Sequence, residues 1–146
     1  MSLMHLEVVT VERTVLSADV SAVTATTAAG QISILPGHVP LVTLLIPGEM
    51  KVRRERDESA LFVSGGFLQV AAADIVVLAD ACEYAEEIDI ERAEAARRRA
   101  EELLKAGAYE IDTAAAEAAL RRSLARLRVA DHHRHAASDH LPRLSE

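Results

Sequence analysis

Through residue 81 the apolar positions come in short bursts, each closed by a turn signal: Ala29-Gly30, Pro36-Gly37, Pro47-Gly48, Asp57-Glu58, Gly65-Gly66 and Ala73-Asp74. A spacing of about 7 to 11 residues predicts consecutive antiparallel strands in a sandwich or barrel. In "EMKVRRER" the alternation points Met50 and Val52 inward and Lys51 and Arg53 outward, the mark of a strand with one wet face. By contrast "ISIL", "ALFV" and "DIVVLAD" are nearly continuous apolar runs, which predict strands covered on both sides. Residues 5–81 therefore read as all-β.

Near residue 86 the texture changes. Glycine and proline nearly vanish and alanine takes over, in "IDIERAEAARRRAEELLKAGAYEIDTAAAEAALRRSLARLRVA". Asp89 is placed to cap a helix running to Ala106, with Gly107 as its C-cap, and Asp112 to cap a second helix reaching about Ala130. A connection of about five residues makes the two an antiparallel hairpin turning near residue 109. Helical spacing predicts a seam of Ala93, Ala96, Ala100 and Leu103 against Ala116, Leu120, Leu124 and Leu127. The remaining "DHHRHAASDHLPRLSE" has no periodicity and reads as a disordered polar tail. Its His132, His133 and His135 lack a carboxylate or cysteine scaffold that would make them a metal site. The fold class is thus α+β: a flattened antiparallel β-sandwich over residues 1–86, a two-helix hairpin over 87–130 and a tail over 131–146.

Composition narrows the chemistry. Only 3% of residues are aromatic, so the core must be aliphatic. The formal charge of −7 argues against nucleic acid or an anionic membrane as the main partner, since affinity for phosphate backbones comes from Lys and Arg. Residues 87–130 carry nine basic and nine acidic side chains, which also counts against a DNA-binding hairpin. The lone cysteine, Cys82, excludes an internal disulfide and, beside Glu83, reads as packing rather than as a nucleophile. No apolar run reaches the roughly 18 residues of a membrane span, and the N-terminus has no basic flank or apolar stretch of an export signal. No P-loop, catalytic triad or paired-carboxylate frame is legible, so no catalytic residue is assigned.

Within Gly30–Gly48, "GQISILPGHVPLVTLLIPG", Pro36 fixes its own φ, Gly37 supplies the positive φ of a type II turn, and Pro40 extends Val39. The backbone around His38 is therefore rigid. The hairpin is its opposite. Each buried methyl or methylene is worth only about 0.8 kcal/mol, against about 1–2 kcal/mol of backbone entropy per ordered residue, so an alanine seam is marginal and the element suits a switch.

"GQISILPGHVPLVTLL", "FVSGGFLQV", "VVLADACEYAEEID" and "RAEAARRRAEELL" together resemble the epsilon subunit of bacterial F-type ATP synthase, from about Leu6 to Val129. The resemblance implies a central-stalk subunit that couples rotation of the c-ring to ATP synthesis without bond chemistry of its own. Its implied partners are the gamma subunit, the c-ring and the beta subunit, with no nucleic acid and no direct membrane insertion. It implies a peripheral position on the cytoplasmic side of the bacterial membrane. Gln31 resembles part of the family's c-ring-facing loop, although many relatives have an acidic residue there, and His38 resembles the part that packs near gamma.

The resemblance extends to "IDIERA", Ile88–Ala93, which matches an ATP-binding motif of some bacterial epsilon subunits. It makes Glu83, Ile88, Asp89, Arg92, Ala93, Arg99, Arg122 and Arg126 candidate ATP-binding residues. An antiparallel hairpin sets Arg92 level with Arg126 and Arg99 level with Arg122, so the like charges repel unless an anion such as a triphosphate sits between them. The plainer reading is a solvated face with pairs such as Glu94 to Arg98 at i,i+4. No cofactor is required; ATP is a candidate regulatory ligand. Extended, the second helix resembles the family's inhibitory form, in which Arg121, Arg122, Arg126 and Arg128 would engage an acidic segment of beta. The alternative is a free-standing cytosolic ATP-sensing module outside any rotary complex.

Overall fold

The computed structural model describes residues 2–107 and 112–139, the side chains of 136–139 excepted. The chain divides into two compact units, Met1–Tyr84 and Ala85–Glu146. The first holds ten strands: β1 (Met4–Val9), β2 (Thr14–Val20), β3 (Ala22–Thr27), β4 (Gly30–Ile34), β5 (Leu41–Leu45), β6 (Gly48–Arg54), β7 (Asp57–Val63), β8 (Gly66–Ala71), β9 (Asp74–Ala79) and β10 (Cys82–Tyr84). The second holds a 3-10 turn, Ala85–Glu87, followed by α1 (Ile90–Ala106) and α2 (Thr113–Asp139).

The strands follow the order β10-β7-β6-β3-β5-β8-β9-β1-β2, with β4 added to β3. At β3 the path bends, because Ala22–Thr24 pair with β6 while only Thr27 reaches Leu45 of β5. The inner residues of both halves meet in one aliphatic core that includes Leu6, Val23, Ile34, Met50, Val52, Leu61, Leu68, Ile75 and Val77. Met50 and Val52 lie inside, as their alternation predicts. The expected antiparallel order fails at one place: β1 runs parallel to β9, His5 opposite Asp74 through Val9 opposite Leu78. First and ninth strands pair across almost the whole length of the sandwich unit, a long-range contact that no local signal encodes.

Gly66 has a φ of +137°, and a Cβ there would overlap the carbonyl oxygen of Leu78, so the β8–β9 ladder closes only over glycine. Cys82 is buried in the core, which matches its reading as packing.

In the second unit the caps are those expected from local sequence. Asp89 is extended (φ −80°, ψ 100°) and its carboxylate accepts the Arg92 N–H; Gly107 ends α1 in the left-handed region at φ 55°. Asp112 Oδ1 accepts the Ala115 N–H at 3.1 Å and starts α2. The turn expected near residue 109 lies outside the described residues. The helices are nonetheless antiparallel, because α2 returns to the Ala85–Glu87 turn, with His133 Nε2 3.7 Å from Glu86 Oε1.

Two expectations are corrected. The seam does not contain Leu103 or Leu124, each 41% exposed; Ala93 and Ala100 of α1 are buried, and on α2 the buried residues are Ala116, Ser123, Ala125, Val129 and Ala130, with Leu120 and Leu127 half-buried. Ala116, Ser123 and Ala130 recur every seven residues, about two turns, and so share one face of α2, whereas Leu124 is turned about 100° from Ser123. Ser123 Oγ donates to the Ala119 carbonyl at 2.8 Å, which lets a hydroxyl sit buried. Nor does α2 stop at Ala130. Residues 131–139 contain no glycine or proline, Asp131 and His135 approach to 3.6 Å at i,i+4, and a helix already nucleated propagates through such a segment. Residues 140–146 of the expected tail lie outside the described residues.

Candidate docking face and arginine-lined hairpin

Strands β5, β8 and β9 carry the feature that sequence periodicity misread. Val42 and Leu44 of β5, Phe67 of β8 and Leu78 of β9 are 69%, 55%, 53% and 55% exposed. They are neighbours across the ladder: Leu44 lies opposite Phe67 and Phe67 opposite Leu78, while Val42 faces Gln69. "DIVVLAD" is thus covered on one side only in this chain, contrary to the expectation from its continuous apolar run. Three adjacent strands then present an apolar stripe to solvent, and such contiguous patches mark interaction surfaces. The missed signal was the same run of apolar residues, which cannot say whether the second cover comes from its own chain or from another.

Gln31 and His38, the two interface candidates, stand at opposite ends of β4. Gln31 is exposed beside the β3–β4 turn, opposite Thr26. His38 closes the predicted turn, its N–H donating to the Leu35 carbonyl at 3.1 Å, with Gly37 at φ 88°. Its Nδ1 lies 2.7 Å from the Val39 carbonyl oxygen. A carbonyl only accepts, so Nδ1 carries the hydrogen of this bond, and in the neutral tautomer that fits it Nε2 is the acceptor. The half-buried imidazole borders an open groove of about 640 Å³ whose walls include Leu3, Met4, Pro36 and Ala73.

On the hairpin, Arg92, Arg99 and Arg126 each precede a seam residue by one position: Ala93, Ala100 and Leu127. Arg122 lies one turn before Arg126. Arg92 and Arg99 are exposed; Arg122 and Arg126 are half-buried. All four therefore occupy helix positions next to a seam residue. Ion pairing on α1 centres on Arg97, not on Arg98: its guanidinium lies 3.3 Å from Glu94 and 3.6 Å from Glu101. On α2, Arg121 pairs with Glu117 at 3.5 Å, and Arg128 is exposed.

The "IDIERA" residues divide by environment. Ile88 and Ala93 are buried and serve packing, while one oxygen of Asp89 is committed to the helix cap. Glu83 is half-buried in β10, opposite Phe62 of β7. One further alignment was not foreseen: His5 Nδ1 lies 3.2 Å from Asp19 Oδ1 and His5 Nε2 3.2 Å from Ser17 Oγ. It lies on the open surface of the β1–β2 ribbon rather than in a cleft, without the enclosed oxyanion site that nucleophilic catalysis uses. Among the described residues no group of three or more His, Cys, Asp or Glu is arranged to hold a metal ion, and no helix is long and apolar enough to cross a membrane.

Comparison with known proteins matches both units. Residues 3–85 fit the beta-sandwich domain of the ATP synthase Delta/Epsilon chain, and residues 86–131 fit its long alpha-helix domain. The ATP synthase epsilon chain of Pelotomaculum thermopropionicum is 52% identical over 126 residues, covering 86% of this chain and 94% of that one. That of Chloroflexus aggregans is 45% identical over 130 residues, covering 89% and 94%. A chain of the Euglena gracilis mitochondrial ATP synthase, solved as OSCP/F1/c-ring, shares the fold with a TM-score of 0.66 at 24% identity, over 94% of this chain and 82% of that chain. With both domains matched in order and nearly the full length of the curated relatives covered, the chain belongs to the epsilon-chain family of F-type ATP synthase, a non-catalytic subunit of that complex.

Proposed function

We propose that this subunit docks through the outer face of β5, β8 and β9 onto the gamma subunit of the central stalk, with the Gln31 end of the sandwich meeting the c-ring. The observation that carries this reading is the exposed stripe of Val42, Leu44, Phe67 and Leu78. A partner that buries these side chains gains about 25 cal/mol per Å² of apolar surface, and an aromatic such as Phe67 is the usual anchor of such contacts. His38 adds a rigid turn with one hydrogen-bond acceptor at the far end of β4. The complex would sit peripherally on the cytoplasmic side of a bacterial membrane, held by its partners.

The test is co-purification of the complex from native membranes. Phe67→Asp should abolish retention of the subunit while the isolated chain keeps its β-sheet circular dichroism, and a bulky replacement of His38 should weaken retention. Full retention of the Phe67 variant overturns the docking face. Absence of the wild-type chain from the complex would favour the free-standing ATP sensor.

The arginine flank supports a second, regulatory reading: ATP binds Arg92, Arg99, Arg122 and Arg126 and holds the hairpin closed. At a hundred times its dissociation constant a ligand contributes about 2.7 kcal/mol, enough to decide a marginal equilibrium. At low ATP the released α2 would engage an acidic segment of beta through Arg121, Arg122, Arg126 and Arg128. Calorimetric titration should show binding that Arg92→Ala and Arg126→Ala each weaken. No heat at millimolar ATP removes this reading and leaves the docking face standing.

A further inference from the structure

The family's helical domain is matched only to residue 131, yet α2 continues to Asp139. This added length brings an imidazole back onto the segment that precedes α1. His133 Nε2 lies 3.7 Å from Glu86 Oε1, and α2 packs against the Ala85–Glu87 turn that bears this glutamate. We infer that Glu86 and His133 form a proton-dependent clasp that closes the helical hairpin at its open end.

A two-helix hairpin is tied covalently only at its turn. Its other end, where the chain enters α1 and α2 leaves, is where separation starts, because the fewest contacts must break there. The seam buries mainly alanines, so little apolar area opposes opening and a modest electrostatic contact shifts the balance. The imidazole is charged only when protonated. Histidine ordinarily gains its proton near pH 6.5, while glutamate stays ionised down to about pH 4.3. The pair carries opposite charges only while the imidazole holds its proton, so the clasp tightens as that proton is gained and slackens as it is lost.

The surrounding charges keep this sign. Glu87 on the same turn and Asp89 and Glu91 at the start of α1 add negative charge to the segment that bears Glu86, and Arg92 offsets one of them. On α2, Arg134 and, at lower pH, His132 and His135 add positive charge, while Asp131 subtracts one; Val129 and Ala130, a turn before His133, are uncharged. With His133 35% and Glu86 60% exposed, solvent screening limits the effect to several-fold. The clasp depends on the regulatory reading of the hairpin only for its biological consequence.

Hydrogen exchange on the isolated full chain without nucleotide tests it, read as protection factors corrected for intrinsic exchange, at about pH 8 and about pH 6. Protection of residues 125–135, relative to β8, should rise several-fold at the lower pH. Glu86→Gln and His133→Gln should each remove that increment, and His135→Gln should retain it. Circular dichroism at both pH values identifies any variant that has lost its helices. An unchanged increment in either Glu86→Gln or His133→Gln, or none in the wild type, overturns the clasp. Because no ATP is present, failure here is distinct from failure of nucleotide binding.

Discussion

In the sandwich the buried side chains include Phe62, Leu6, Ile34, Met50, Leu61, Leu68 and Ile75; in the helical unit they are mostly alanines such as Ala93, Ala100, Ala116, Ala125 and Ala130, with Ile88 and Val129 as larger exceptions. A fully buried Leu, Ile or Met contributes about 1.5–3 kcal/mol, and an alanine far less. The two units are also ordered differently: the strands by ladders between residues distant in sequence, the helices by bonds within each helix and by caps at Asp89 and Asp112. A platform that must hold a partner in place needs the first kind of stability. An element that opens and closes needs the second, in which helices survive separation because their hydrogen bonds are internal.

The comparison can be broken from the sandwich side first. Gly66→Ala should cost more than about 4 kcal/mol in denaturant unfolding, because the new methyl meets the Leu78 carbonyl in a strained conformation. A loss below about 1 kcal/mol would mean that the β8–β9 ladder yields easily and that the platform is not rigid. Leu68→Ala comes next, at about 3 kcal/mol, since the side chain is wholly buried in the core.

On the helical side the effects should be smaller and local. Asp89→Ala removes the cap on the Arg92 N–H and should cost about 1 kcal/mol, seen as lower helix content or faster exchange over residues 90–100 with β8 unaffected. Equal loosening of β8 would show that the two units unfold together. Ser123→Ala should change stability by no more than about 0.5 kcal/mol, because the lost bond to the Ala119 carbonyl is offset by better helix propensity in a seam already made of alanine. A cost above about 1 kcal/mol would assign the hydroxyl a specific role in helix pairing.

Much of this was legible because it is local. Asp89, Gly107 and Asp112 act on backbone groups within three residues, Pro36-Gly37 dictates its own turn, and Met50 and Val52 alternate with charged neighbours. What was misread depends on partners elsewhere. The slip from Ser123 to Leu124 arose because hydrophobicity alone favours leucine, whereas the packed helix buries the position at Ser123 and leaves Leu124 exposed. Arg97 rather than Arg98 carries the ion pairs, because a half-buried side chain beside the seam is held between Glu94 and Glu101. The helix beyond Ala130 was missed because its polar residues show no apolar period, although nothing in them breaks a helix. Of the candidate site, the residue types on the arginine flank could be read from sequence, but the apolar docking stripe could not.

Sequence by itself pointed to a change of texture near residue 86, the strand-rich aliphatic first unit, the capped helices and the alanine-rich seam, because propensity, capping and periodicity are encoded within a few residues. Tertiary structure alone decided that β1 pairs with β9, that the second face of β5, β8 and β9 stays open, and that α2 returns His133 to Glu86. Each of these joins residues far apart in the chain. A run of side chains specifies that its surface will be buried or charged, but only the closed fold specifies what is left to cover it.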